Sequence, residues 1–198
     1  MKRLSFAVSV ALLISLALAG TVAARPTSGL RNIQDFAAAY FHQEIGCEDY
    51  FLSVVFVAGN NLQGPIGSGK PGSWSDVTVE LQVYDCDGDP VYVLSGFTPC
   101  DPNIVRFESA RVDGVLVSLW DATHSVNIDV VVDLAWIGTG DTMVRIDHQA
   151  DRGYYRQERF RSAEISGTVQ DPIPDGISFT TADEHSGTIG TASEVSLP

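Results

Sequence analysis

Three aspartates around a glycine are the residues best suited to metal chemistry in this sequence. Asp85, Asp87 and Asp89 stand at alternate positions, with Gly88 between the last two. Carboxylates with this spacing resemble the start of a calcium loop, in which hard oxygen ligands surround the cation. The EF-hand pattern fails, since Gly96 stands where that loop has its glutamate. The three aspartates are candidate ligands of a looser calcium loop, and the alternative is a plain turn. We expect no cofactor unless these aspartates bind calcium.

Two aspartates on one predicted strand are the candidates for glycoside hydrolysis. Asp129 and Asp133 lie on the polar face of the alternating segment 126–136. A strand rises about 3.3 Å per residue, so the two positions are about 13 Å apart, whereas hydrolase pairs need about 5 to 9.5 Å. This strand alone therefore cannot supply the pair, and the sequence assigns no catalytic residue.

Arginine and aromatic residues are concentrated in one segment near residue 155. Aromatic faces and arginine forks can hold sugar rings or an acidic polymer, through stacking and bidentate hydrogen bonds. The alternative is an edge hairpin in which the charges discourage pairing with another chain. The candidate ligand-binding residues are Tyr154, Tyr155, Arg156, Arg159, Phe160 and Arg161.

Three cysteines, Cys47, Cys86 and Cys100, allow one disulfide and leave one thiol. Cys47 and Cys86 each lie beside a predicted strand end, which favours their pairing, while pairing of Cys86 with Cys100 stays open. No histidine motif accompanies any of them, so the sequence does not indicate a nucleophilic cysteine.

The first 24 residues are typical of a signal peptide. Lys2 and Arg3 precede an uncharged apolar stretch that ends at Ala24, with small residues before the predicted cleavage site at Arg25. An uncleaved anchor is the alternative, because the stretch approaches the roughly 20 residues that span a bilayer. We expect cleavage, no stable membrane insertion afterwards, and a secreted or periplasmic protein.

The charge balance is strongly acidic. The chain carries a formal net charge of −13, and removal of a leader with two cations and no acids makes it −15. Such a charge repels phosphate backbones, so we expect no nucleic-acid partner. Polysaccharide or another extracellular macromolecule is the partner class that we expect instead.

The dominant pattern is alternation of apolar and polar residues with period two, which predicts half-buried strands. It is clearest over 77–83 and 126–136, and Asp113-Gly114 predicts a hairpin turn between two further strands. One dry face and one wet face per strand are typical of antiparallel sheets. We predict an all-β protein, an antiparallel β-sandwich with a barrel or jelly roll as alternatives.

A single domain is expected over residues 25–170. Within it, Leu30–Ile45 has near-helical apolar spacing and is predicted to be either one short N-terminal helix or a strand. Residues 171–198 are rich in small and polar side chains. We expect a loop, an edge strand near Ile177–Thr180 and a polar C-terminal tail there.

Two further segments carry a resemblance to known proteins. Asp133–Asp141 reads D-L-A-W-I-G-T-G-D, and Arg161–Val169 reads R-S-A-E-I-S-G-T-V. Both resemble segments of uncharacterised exported bacterial proteins that are β-rich. The resemblance implies an exported β-rich chain and a Cys47–Cys86 pair, and it implies no activity.

Together these observations predict an exported protein whose role is binding or structural, at the cell envelope or beyond it. A secreted hydrolase acting on carbohydrate is the alternative, and an inert structural module is a third. A groove with two carboxylates at hydrolase distance would favour the enzyme. A flat sheet face with an aromatic–arginine patch would favour binding.

Overall fold

The computed structural model describes residues 30–62, 72–101, 103–121, 124–149, 154–170 and 178–196. The predicted signal peptide at residues 1–24 lies outside these ranges. Within them, the chain contains no helix with the length and hydropathy that crossing a bilayer requires.

The described residues form eleven strands. The first four are β1 (Leu30–Ile45), β2 (Glu48–Leu62), β3 (Gly72–Tyr84) and β4 (Pro90–Pro99). The others are β5 (Ile104–Val105), β6 (Ser109–Asp121), β7 (Val126–Gly138), β8 (Met143–Gln149), β9 (Tyr154–Gln170), β10 (Phe179–Thr180) and β11 (Glu184–Ser196).

Eight of these strands close into an antiparallel ring, in the order β1, β2, β3, β4, β6, β7, β9, β11 and back to β1. The narrowest link joins β4 to β6 through two residue pairs, Leu94 with Asp121 and Ser95 with Trp120. The all-β antiparallel prediction is confirmed. The ring combines features of the predicted sandwich and of its barrel alternative.

The interior of the ring is filled by the alternating apolar side chains of its strands. Trp136 on β7 is the largest fully buried side chain among the described residues. Its indole Nε1–H donates a hydrogen bond to the carbonyl oxygen of Ala38 on β1, at 3.0 Å. Because a buried indole N–H without a partner is costly, this bond fixes the position of Trp136 against the opposite wall.

The segment Leu30–Ile45 is a strand and not a helix. It pairs with β2 along one edge and with β11 along the other. Residues 36–41 are buried on both faces of the strand. A strand with two dry faces loses its alternation, which is why its sequence also fitted a helical pattern.

One disulfide joins Cys47, in the turn between β1 and β2, to Cys86, in the turn between β3 and β4, with the Cα atoms 4.9 Å apart. The predicted pairing is confirmed, and Cys100 is a free cysteine. Burial and the nearby charges of Asp76 and Asp101 raise the pKa of Cys100. Its thiol is therefore protonated at neutral pH, which disfavours a nucleophilic role.

The C-terminal region differs from its prediction. Phe179–Thr180 is the expected short edge strand, β10, which pairs with β9. Instead of a loose tail, Glu184–Ser196 forms the full strand β11, which pairs with both β1 and β9 and closes the ring. Few large side chains are needed there, because hydrogen bonds on both edges hold β11 while Ile189 is buried in the interior.

Candidate functional site

The predicted calcium loop is a turn capped by one of its own aspartates. The carboxylate oxygen Oδ1 of Asp85 accepts hydrogen bonds from the backbone N–H groups of Asp87 and Asp89, both at 2.9 Å. Gly88 donates its N–H to the carbonyl oxygen of Asp85 at 3.0 Å. In the described ranges no group of three or more His, Cys, Asp or Glu is placed to hold a metal ion. Calcium binding at this turn stays a prediction.

The arginine and aromatic residues of β9 are divided between the two faces of that strand. Arg156 forms an ion pair with Glu158 on one face, where Phe160 packs against a buried apolar cluster. Tyr155, Arg159 and Arg161 alternate with them and lie on the other face, since successive strand residues point in opposite directions. Arg161 places its guanidinium against Gly138 of β7. Tyr154 begins the strand. The other five residues therefore do not form one continuous patch.

The aspartates considered for hydrolysis lie on the outside of the ring. Asp129 and Asp133 are both exposed on β7, where Asp129 is opposite Ser118 and Asp133 is opposite Thr168. Their separation along the strand keeps them about 13 Å apart. The structure does not bring these two residues together.

An exposed apolar surface covers the outside of β4 and β6, and we call Val93, Phe97, Leu116 and Trp120 the aromatic face. Phe97 is 70% exposed and Trp120 is 49% exposed. Trp120 lies directly opposite Ser95. Phe97, two residues further along β4, is therefore the diagonal neighbour of Trp120, within reach of a large aromatic side chain.

A β-bulge in β6 determines which side chains reach this face. Between Val112 and Val115 the register with β7 shifts, so that two residues of β6 lie opposite one residue of β7. The extra residue inverts the alternation of the strand. Val112 and Val117 are consequently both buried, while Trp120 is turned outward. Gly114 supplies the positive φ of 57° that the bulge requires.

Close approach of two backbones joins β4 to β6 beneath the aromatic face. A Cβ atom on Gly96 would clash with the carbonyl group of Ser118, so only glycine fits there. Thr98 strengthens the contact by donating its hydroxyl to the carbonyl oxygen of Leu116 at 3.0 Å. Phe97 lies between Gly96 and Thr98 in the chain, so the contacts of these two neighbours with β6 fix its backbone on both sides.

Polar groups flank the aromatic face on both sides. Towards β7, Asn127 lies opposite Trp120 and Asp129 lies opposite Ser118. Towards β3, Glu80 lies opposite Ser95, and partial burial raises the pKa of Glu80. Glu80 and Asp129 are separated by three strand spacings, about 14 Å, and by two further residues along β7, so they do not form a hydrolase pair.

A buried aspartate holds a histidine at the end of β6. The carboxylate oxygen Oδ2 of Asp121 lies 2.6 Å from Nδ1 of His124, and the Asp121 side chain is 1% exposed. The aromatic ring of Tyr92 lies against the imidazole, with ring centroids 4.8 Å apart. A carboxylate that orients an imidazole in this way is one component of a general base.

The end of the ring that carries the disulfide is acidic. His42 on β1 lies there with Nε2 at 3.1 Å from Oδ1 of Asp49 and Nδ1 at 3.3 Å from Oε2 of Glu184. The ring of Phe51 stacks on the imidazole with centroids 4.7 Å apart. An open depression of about 430 Å³ lies beside this group and is lined by Glu44, Asp183 and other residues of the same strand ends.

Sequence reasoning missed the aromatic face and the Asp121–His124 pair. The alternation of β6 is broken by its bulge, so the pattern alone did not show that Trp120 points outward. Phe97 is adjacent to a glycine in a short strand that gave no clear period. The spacing of three residues between Asp121 and His124 was a usable signal, since it is common where a side chain caps a turn.

Comparisons with known proteins give little that bears on function. No protein-family model matches this chain, and no curated protein matches it. Solved structures with a remote likeness include two enzymes. One is an acetoacetate decarboxylase-like enzyme from Sphingomonas wittichii RW1, with 9% identity and a TM-score of 0.30 over 90% of this chain and 94% of that one. The other is an enduracididine biosynthesis enzyme complexed with pyruvate, with 7% identity and a TM-score of 0.28 over 89% and 90%. Scores this low support no inference about activity.

Proposed function

We propose that this protein is an exported binding module that recognises neutral polysaccharide through the aromatic face. The observation that supports the proposal is the exposure of Phe97 and Trp120, 70% and 49%, on strands that are paired on both sides. The disulfide is compatible with an oxidising compartment, as the predicted signal peptide requires.

Large exposed aromatic side chains favour a binding role because they leave apolar surface in contact with water. An exposed cluster of this kind commonly marks a binding site. The C–H faces of a sugar ring can pack on an aromatic ring, and its hydroxyl groups need donors and acceptors nearby. Ser95, Ser118, Asn127 and Asp129 supply these groups around the aromatic face.

The charge of the chain favours a neutral ligand over an acidic one. The net charge is −13, and Asp129 is exposed beside the aromatic face. A polyanion would therefore be repelled, whereas the hydroxyl groups of a neutral glycan can donate hydrogen bonds to the carboxylate of Asp129.

Retention on immobilised neutral polysaccharides tests the proposal. Removing both aromatic rings, in Phe97→Ala/Trp120→Ala, should weaken binding at least about tenfold, since each ring buries roughly 60 Å² at about 25 cal/mol per Å². The matched control is Val105→Ala/Ile137→Ala, which removes two apolar side chains of similar exposure elsewhere on the surface. Equal retention of the two variants, or no retention of the wild type, would exclude this function and leave an inert structural module.

A carbohydrate hydrolase is the second candidate, and the Asp121–His124 pair is the observation that favours it. The buried carboxylate would hold the imidazole as a general base at the end of β6. Under this alternative, His124→Gln would bind glycan as the wild type does but release no reducing sugar or acyl group. If the wild type itself releases no product from any retained polysaccharide, the enzyme is excluded.

A further inference from the structure

The strand β8 has one edge to which no described strand is bonded. Along its other edge β8 pairs with β9 over its whole length, from Met143 opposite Phe160 to Gln149 opposite Tyr154. On the same edge of β9, β7 pairs with residues 163–170 and β8 pairs with residues 154–160. β8 therefore lies past the end of β7, beyond the residues of β7 that pair with β6. The outer edge therefore presents backbone N–H and C=O groups that another strand could bond.

The side chains of β8 are also unusually apolar for so exposed a strand. Met143 is 49%, Val144 54% and Ile146 58% exposed. Natural edge strands are normally short, charged or covered, because an apolar edge pairs readily with other chains. A strand of seven residues with three exposed apolar side chains is suited to strand addition.

The charges of β8 identify a suitable partner strand. In an antiparallel pair of two β8 strands, the register that pairs all seven residues is centred on Ile146. In that register Arg145 of each copy lies opposite Asp147 of the other. Arg145 already lies opposite Glu158 of its own β9, and Asp147 lies opposite Arg156. Opposite charges would then alternate across all four strands of the combined sheet, which stabilises cross-strand pairs.

We propose that β8 is the interface of a symmetric homodimer, in which two copies of this chain pair antiparallel about Ile146. The two copies contribute the same surface, as a twofold interface requires. One continuous sheet then extends from β9 of one copy, through the two β8 strands, to β9 of the other copy. The proposal is independent of polysaccharide binding, since the aromatic face is formed by β4 and β6.

Sedimentation velocity of the purified protein tests this interface by charge exchange. The wild type should sediment as a dimer. In a homodimer of either single variant, Arg145→Asp or Asp147→Arg, residues 145 and 147 of the two copies carry like charges. This repulsion occurs at two places in the interface, so each variant should dimerise about tenfold or more weakly than the wild type. The double variant Arg145→Asp/Asp147→Arg should restore the dimer. An equal mixture of the two single variants should form heterodimers.

Restoration by exchange separates dimerisation from damage to the fold. The double variant also changes both charges that face β9, yet it is expected to dimerise. If a single variant loses its native circular dichroism spectrum, Ile146→Lys is used in its place. The twofold axis brings the two copies of this exposed residue together, so two lysines would repel each other there and weaken the dimer. A wild type that is monomeric at every concentration, or single variants that dimerise like the wild type, would overturn the proposal.

Discussion

His42 is the residue at which one protonation step affects three strands. It lies on β1 and contacts Asp49 on β2 and Glu184 on β11. Partial burial opposes a positive charge on the imidazole, but the hydrogen bonds and charges of the two carboxylates outweigh it and raise the pKa of His42 above 6.5. The charged form therefore links the three strands more strongly than the neutral form does.

This shift predicts how stability changes with pH. Because the folded-state pKa is raised, the stabilisation is complete below about pH 6.5 and is lost as the pH rises through the folded-state value. Between about pH 6 and about pH 8.5 the free energy of unfolding should fall by about 0.5 kcal/mol more in the wild type than in His42→Gln. The difference is small because the carboxylates that pair with His42 are partly exposed. Urea unfolding of both proteins across this range measures the difference, and parallel curves would contradict the assignment.

Individual site residues were predictable only where chemistry is local. The strand end beside each cysteine favoured the Cys47–Cys86 pairing, although pairing of Cys86 with Cys100 stayed open. The residue types at Asp87-Gly88 offered the observed turn as the alternative to a calcium loop. The aromatic face was not predictable in this way, because its four residues come from two strands whose pairing depends on Gly96. Likewise, the residues of the arginine segment are adjacent in sequence, yet the strand period separates Arg156 from Arg159.

At the level of elements, Asp113-Gly114 shows how one motif can form two structures. An Asp-Gly dipeptide between apolar runs favours a two-residue hairpin turn, because both residues tolerate positive φ. Here the same tolerance produces a bulge within a single strand, β6. The local conformational preference of Asp113-Gly114 is the same for a hairpin turn and for a bulge. Which of the two forms therefore depends on β7, which pairs with β6 on both sides of the bulge.

The bulge can be tested by substitution at Gly114. Its φ is 57°, and nothing lies within 4 Å of an added Cβ atom, so the cost of a side chain is conformational. Gly114→Ala should lower the free energy of unfolding by about 1 kcal/mol, and Gly114→Asn by less, because asparagine tolerates this conformation. Chemical denaturation measures both, and an alanine variant as stable as the wild type would contradict the role given to the bulge.

At the scale of the whole molecule, the sequence predicted the class of fold but not its closure. Alternating segments such as 77–83 and 126–136 gave the antiparallel strands. Closure depends on β11, whose sequence has few large apolar residues and was expected to be a loose tail. Its stability comes from pairing with β1 and β9, which are distant in the chain. Such long-range pairing leaves no local signal.

The disulfide fixes one end of this ring, and its removal has a predictable cost. Cys47 and Cys86 are 39 residues apart. In the chain-entropy account a loop of this size contributes about 4 kcal/mol. Unfolding of Cys47→Ala/Cys86→Ala should show a loss of that order, whereas the control Cys100→Ala should change little. A similar loss in both variants would contradict a specific role for the bridge.

Binding of a neutral glycan at the aromatic face is most directly tested by the indole N–H signals in a ¹H–¹⁵N NMR spectrum. Titration with soluble oligosaccharides of a retained polysaccharide should shift the Trp120 signal. It should leave unchanged the signal of Trp136, which is buried and bonded to Ala38. The account predicts this selective shift and its loss in Phe97→Ala. A titration in which the Trp120 signal stays fixed while signals of β9 or of the acidic end move would contradict it.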